Sequence, residues 1–162
     1  MTDTSVRPAD DMEKTIEKYG DMLYRLCFIM LNHESDAEDA VQETIIKLYQ
    51  KAPSFRDEEH RKAWLIRVAT NQCRDLLRFR SRHPQIDAEY LDNISCETTE
   101  SGILEALAAL PEKYRLVLTL YYVHACSTEE IARVIRRTPS AVKMRLQKGR
   151  KLLEKIYREE YL

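Results

Sequence analysis

The sequence predicts an all-α fold made of two small helical units, and three observations carry that expectation. Apolar residues recur three and four positions apart along most of the chain, the period of one helix face. Three Gly and five Pro in 162 residues leave few turns. Pro84 is then followed by a stretch, 85–101, that is rich in Asp, Glu, Ser and Thr and only weakly periodic. That stretch reads as an acidic linker at 85–102 between units at 12–84 and 103–158.

Composition narrows the class. A chain with 44% hydrophobic and 33% charged residues is that of a soluble, helix-rich protein. No apolar run is long enough to cross a bilayer, and residues 1–11 are polar and net acidic, so neither a signal peptide nor an anchor is expected and the cytoplasm is the expected compartment. Cys27, Cys73, Cys96 and Cys126 show no C-x-x-C spacing. Three of them, Cys27, Cys73 and Cys126, fall within helical patterns, which suits reduced core residues better than a zinc site or disulfides.

The first helix spans 12–31, with Ile16, Tyr19, Leu23, Leu26, Cys27 and Met30 on one face. Asn32, His33 and Glu34 interrupt it, and His33 is expected to be an exposed loop residue. Ser35 opens a second helix to Gln50, with Asp36 and Glu38 in its first turn. Its apolar face is Ala37, Ala40, Val41, Ile45, Leu48 and Tyr49. Its other face groups Asp39, Gln42, Glu43 and Ile46 at i, i+3, i+4 and i+7, a mixed patch that fits plain solvation or a partner surface. Residues 52–60 read as a loop whose single large apolar side chain is Phe55. A helix at about 61–80 follows, with Trp64, Leu65, Val68, Ala69, Gln72 and Leu76 inward and Leu77 at the edge of that face. Its opposite side aligns Arg67, Asn71, Arg74 and Arg78, with Arg80 and Arg82 extending the charge. Arginines around an asparagine, beside a loop offering Phe55, suit strand-separated DNA through phosphates, base edges and stacking, although a solvated helix carries the same pattern.

Beyond the linker, Ile103, Leu104, Leu107, Ala108 and Leu110 resume the helical period up to Pro111. A helix at 112–124 is expected to turn Leu116, Val117, Leu120, Tyr121 and Val123 inward. Ser127 or Thr128, with Glu129 and Glu130 in the first turn, starts a short helix to Ile135. Arg136, Arg137 and Thr138 break it, and Pro139 opens the next helix, capped by Thr138 or Ser140. In that helix Val142, Leu146, Leu153 and Ile156 face inward, and Gly149 permits close approach. From 133 to 155 nine Lys or Arg stand against one Glu, whereas 85–105 carries six acids and no Lys or Arg. A net charge of −1 therefore conceals strong local fields. Two short helices around a tight turn, the second rich in cations, is the layout that places a helix in the DNA major groove.

Residues 36–50 (DAEDAVQETIIKLYQ), 55–82 (FRDEEHRKAWLIRVATNQCRDLLRFRSR) and 109–154 (ALPEKYRLVLTLYYVHACSTEEIARVIRRTPSAVKMRLQKGRKLLE) together resemble bacterial sigma-70-family factors of the extracytoplasmic-function group, in the family's order. The resemblance implies a sigma-2-like bundle and a sigma-4-like helix-turn-helix domain. It implies that Asp39, Gln42, Glu43 and Ile46 dock on the β′ clamp helices of core RNA polymerase. Phe55, Arg67, Asn71, Arg74 and Arg78 would then meet the promoter −10 element, with residues 55–60 capturing an extruded base. Ser140, Lys143 and Arg145 would reach −35 bases, and Arg136, Arg137, Lys148 and Arg150 phosphates. It further implies contact with the β flap, an anti-sigma factor as partner, and a linker that threads towards the polymerase cleft. The family commonly has Gly where Arg136 stands, so Arg136 must adopt a left-handed conformation or use a different turn.

No catalytic residue, cofactor or metal is expected on this reading. A stand-alone helix-turn-helix regulator is the alternative and predicts duplex binding without polymerase. A metal-dependent hydrolase using Glu38, Asp39, Glu43 and a His is a third, for which the sequence offers no clustered ligands.

Overall fold

The computed structural model describes residues 8–83 and 101–161, so most of the expected acidic linker, and Cys96 within it, lie outside the described residues. The described helices are α1 (Pro8–Leu31), α2 (Glu34–Lys51), α3 (Glu58–Arg82), α4 (Ser101–Ala109), α5 (Glu112–Leu118), α6 (Thr128–Ile135) and α7 (Pro139–Tyr161). A π-helical turn, Thr119–Val123, continues α5. No strand occurs among the described residues, as the all-α expectation requires.

Helices α1, α2 and α3 pack pairwise into the first unit. Leu23, Leu26 and Met30 of α1, Ala37, Ala40 and Ile45 of α2, and Leu65, Ile66, Ala69 and Cys73 of α3 form its core. Two starts differ from the sequence reading. Helix α2 begins at Glu34 because His33, not Ser35, caps it: Nδ1 accepts the Asp36 N–H at 3.2 Å, and the ring is half-buried rather than exposed. Helix α3 begins three residues before Arg61 because the Asp57 carboxylate accepts the His60 N–H at 2.8 Å.

The buried face of α3 is also wider than one stripe. Ile66, Thr70 and Cys73 join Leu65 and Ala69 inside, while Val68, Gln72 and Leu76 are only half-buried. The cause is that α3 packs on α1 and α2 and also meets α6 of the second unit, so a single solvent-facing side is not left to it. Arg80, expected as a surface cation, is buried. Its guanidinium donates to the Leu31 carbonyl at 2.8 Å and pairs with the Asp36 carboxylate, which joins the ends of all three helices. At the opposite end Glu58 accepts from Tyr19 Oη at 2.7 Å and Lys18 Nζ at 3.1 Å, and these donors hold its carboxyl below the usual range.

Helices α4 to α7 form the second unit, with α4, α5 and α6 each laid on α7. Leu116, Val117, Leu118, Leu120, Ile131, Val142 and Leu146 are buried there. Gly149 is needed for that approach, since a Cβ would sit 3.2 Å from Leu118 Cδ1 and 3.3 Å from Tyr114 Cβ. The expected helix at 112–124 loses its phase at the π turn, where His124 N–H bonds to the Thr119 carbonyl five residues back. Tyr121 and Val123 consequently face solvent, and His124 and Cys126 turn inward.

The units touch through α3 with α6 and through α1 with α4, α5 and the π turn. His124 lies within the field of Arg25 and Lys62 of the first unit, its Nε2 without a hydrogen-bond partner. Burial first, and those two cations second, push its pKa down to about 4 from 6.5.

Removing one partner of a buried ion pair strands the other, so Asp36→Ala is expected to lower unfolding free energy in urea by about 3 kcal/mol. The pair Asp36→Ala with Arg80→Met should recover part of that loss. For His124 the unfolded chain takes up its proton near pH 6.5 and the folded chain resists until about 4. Stability from this group is therefore lost as pH falls through that window, by about 1.4 kcal/mol per unit. Melting curves of His124→Gln against wild type should show a flatter pH profile between 6.5 and 4.

Candidate nucleic-acid interface

Helix α2 buries Ala37, Ala40, Thr44, Ile45 and Leu48 and leaves the opposite face open. Asp39, Gln42, Glu43 and Ile46 are all exposed on it, so the fold displays the mixed patch as a unit. Tyr49, expected inward, is 61% exposed and extends the same row three residues beyond Ile46. Together with Ile46, 44% exposed, it makes an apolar centre flanked by acids, which suits a protein partner better than plain solvation. The signal was available, because Gln42, Ile46 and Tyr49 run at i, i+4 and i+7.

On α3 the basic stripe is not uniformly free. Asn71 is exposed, and Arg78 is exposed with Asp75 Oδ1 at 3.4 Å. Arg74 Nε meets Glu112 Oε1 at 2.5 Å, at the start of α5. Arg67 is half-buried and lines a cleft of about 360 Å³ in which Arg56 and Arg133 stand with two acids, Asp57 and Glu59, and with His60 and Trp64. Phe55 does not present a bare face to solvent. Its ring stands edge-on to His60 and Trp64, centroids 5.4 and 5.7 Å away, with the Arg61 guanidinium 5.1 Å above it. Residues 55–60 are thus a pre-formed aromatic corner that carries Arg56 beside three acids, Asp57, Glu58 and Glu59.

In the second unit Ser127 makes a capping box with Glu130: its hydroxyl accepts the Glu130 N–H at 3.1 Å and the Glu130 carboxylate accepts the Ser127 N–H at 3.5 Å. Arg136 ends α6 in the left-handed conformation, φ 56° and ψ 49°, the first of the two turn solutions left open above. Thr138 then caps α7, its Oγ1 accepting the Ala141 N–H at 3.1 Å. The turn and the first half of α7 expose Arg136, Arg137, Ser140, Lys143 and Lys148. At about 100° per residue, Arg145 lies about 140° around the helix from Ser140, and it is half-buried, so Ser140, Lys143 and Arg145 do not share one stripe. Exposed Met144 and Gln147 occupy that stripe instead, which the spacing from Ser140 would have shown. Arg150 donates to Tyr122 Oη at 2.7 Å across an apolar groove of about 460 Å³ that Ile103, Leu107, Leu118 and Leu153 also line.

Among the described residues no three His, Cys, Asp or Glu side chains converge as metal ligands, and no helix is long and apolar enough to cross a membrane. Cys27, Cys73 and Cys126 are free and buried.

Comparison with known proteins matches these two units separately. Sigma-70 region 2 covers residues 15–83, and sigma-70 region 4 covers residues 101–153. The ECF RNA polymerase sigma factor SigW of Bacillus subtilis is 29% identical over 93% of this chain and 90% of its own length. Among solved structures, the sigma factor RpoE in complex with the anti-sigma factor NepR, from Bartonella quintana, has a TM-score of 0.74 at 22% identity, covering 93% of this chain and 98% of that one. CnrH in complex with the cytosolic domain of CnrY has a TM-score of 0.71 at 23% identity, covering 92% and 88%. At those identities the two structures speak to the fold.

The left-handed Arg136 carries a steric cost that glycine lacks. Arg136→Gly should raise unfolding free energy by about 1 kcal/mol in urea and, by removing a cation from the turn, weaken duplex DNA binding.

Proposed function

The chain belongs to the sigma-70 family, in its extracytoplasmic-function group, and on that premise we propose that it directs promoter-specific initiation by core RNA polymerase. The observation that carries the reading is that three separate polar surfaces, on α2, on α3 and on the turn before α7, are displayed in the family's order by two units joined through a 17-residue stretch. Polymerase supplies the bond-forming chemistry, and this chain binds, orients and opens DNA in the cytoplasm.

In this account Asp39, Gln42, Glu43, Ile46 and Tyr49 dock on the β′ clamp helices, with apolar contacts at the centre and the acids steering approach. The groove between Ile103, Leu118 and Leu153 receives an apolar segment of the β flap. Arg67, Asn71, Arg74 and Arg78 follow the −10 strand, Asn71 being able to bond a base edge in two places while the arginines take phosphates. The Phe55 corner flanks an extruded base, whose unstacking costs a few kcal/mol that stacking and cationic contacts offset. In the major groove Ser140 and Lys143 approach −35 bases with Met144 and Gln147, while Arg136, Arg137, Arg145, Lys148 and Arg150 take phosphates. The 17 residues between the units let both bind one promoter with the avidity of a tethered pair. An anti-sigma factor is the partner expected to hold such a chain inactive, as the sigma factor RpoE of similar fold is found in complex with one.

Titration of labelled protein with core RNA polymerase tests the reading. Wild type should bind tightly, Tyr49→Ala should weaken binding by about tenfold, as centre-of-interface truncations do, and Asp39→Ala should weaken it mainly by slowing association. Asn71→Ala should bind core normally and fail in promoter opening followed by permanganate reactivity. Absence of core binding together with specific binding to duplex DNA by the chain alone would favour a stand-alone regulator.

A further inference from the structure

One aromatic surface serves neither the core nor the interface described above. At the last turn of α3, Phe79 is 45% exposed, while Leu76 and Leu77 just before it lean on the core. Its ring stacks on that of His83, one turn further on, with centroids 4.2 Å apart and planes 26° from parallel. Stacking occupies one face of each ring and leaves the pair open to a third flat group.

The pair is fixed before any ligand arrives. His83 N–H donates to the Arg80 carbonyl at 3.0 Å, and the ring donates from Nδ1 to the Phe79 carbonyl at 2.8 Å. Pro84 follows and narrows the backbone choices of His83, while Arg80 is itself buried against Leu31 and Asp36. A ligand therefore meets rings that have little freedom left to lose. The surroundings are cationic. Arg78 and Arg82 are exposed, and at about 100° per residue Arg82 lies about 40° from Arg78 and about 60° from Phe79, so both arginines border the ring. Asp75 is the acid beside them, its Oδ1 3.4 Å from Arg78 Nη1. Those two side chains are 67% and 69% exposed, and so weak a pair yields readily to a phosphate.

A flat face bordered by cations fits a nucleobase together with its backbone phosphates. Arg67, Asn71, Arg74 and Arg78 lead along α3 towards this corner, and Phe79 stands about 32 Å along the helix from Glu58, at the end remote from Phe55. We propose that Phe79, backed by His83, stacks on an unpaired base of the promoter strand, with Arg78 and Arg82 on the adjoining phosphates. The strand is then held at both ends of α3. Phe55 flanks one base, and Phe79 fixes the register of the strand that runs between them. Because every base has a π face, the second contact adds hold without sequence preference. The proposal rests on the assignment of α3 to the −10 strand.

The test assembles the full chain with core RNA polymerase and follows the anisotropy of a labelled 15-nucleotide oligothymidine, about 50 Å long even at duplex spacing, with the signal of core alone subtracted. Phe79→Ala should weaken binding by about fivefold or more, as loss of one base stacked on a ring does. Phe79→Tyr should keep wild-type affinity, and Phe79→Leu, apolar without a ring, should not. Across a salt series Phe79→Ala should leave the slope of log affinity unchanged, whereas Arg82→Ala should reduce it by about 0.7, the share of one phosphate on a single strand. On an abasic sugar–phosphate chain of the same length, wild type and Phe79→Ala should bind alike. Normal oligothymidine binding by Phe79→Ala, with Asn71→Ala weakened, overturns the stacking role and leaves α3 assigned to the strand. A Phe79→Ala defect that persists on the abasic chain, or that shows in affinity for core itself, overturns it as well. Holoenzyme that binds oligothymidine no better than core alone removes the assignment of α3 to the strand, and this proposal with it.

Discussion

One guanidinium sets the frame on which the first unit displays its surfaces. Arg80 leaves the last turn of α3, donates to the carbonyl that ends α1, and pairs with Asp36 in the first turn of α2. Both charges are removed from water, so the pair gains its worth from fixing one geometry among three helices and not from net attraction. With Glu58, Tyr19 and Lys18 at the other end, α3 is held at both ends against α1. The mixed face of α2 and the basic side of α3 then point in set directions from one rigid bundle.

The same economy governs the second unit. A short α6 of eight residues has little stability of its own, and it is completed by the capping box at Ser127 and by four buried apolar side chains, Ile131, Ala132, Val134 and Ile135. A left-handed arginine where glycine is easier keeps a cation at the turn, next to where phosphate would lie. On the proposed reading, the strained residue is also one that would take a phosphate. Closer packing at Gly149 lets α7 lie on α5, and this leaves the front of α7 free.

Much of this was legible in the residues themselves. Helical period located the helices of both units, and caps with acids in first turns located α6 and α7 closely, because those signals are local. What escaped depends on contacts distant in sequence. Arg80 reads as one more surface cation until Asp36, 44 residues away, is placed beside it. Ile66 and Thr70 look peripheral on a single-faced helix, yet both are buried, because α3 packs on α1 and α2 together and so buries more than one stripe. The π turn at Thr119–Val123 inserts no recognisable residue but shifts every later side chain, so Tyr121 and Val123 face outward. Tyr49 and Arg145 were misplaced for a simpler reason, since counting around the helix places the first with Ile46 and the second away from Ser140. At the site, residue types and stripes could be read, whereas the occupation of Arg74 by Glu112 could not, because it belongs to the meeting of the two units.

The central claim is that the chain makes core polymerase start at promoters it would otherwise ignore. Run-off transcription on a fragmented library of the source genome, with core RNA polymerase in the presence and absence of this protein, tests it most directly once start sites are mapped. The account predicts new starts that appear only when the protein is added and that share paired upstream elements at a fixed spacing. Unchanged start sites with fully active core polymerase would contradict it.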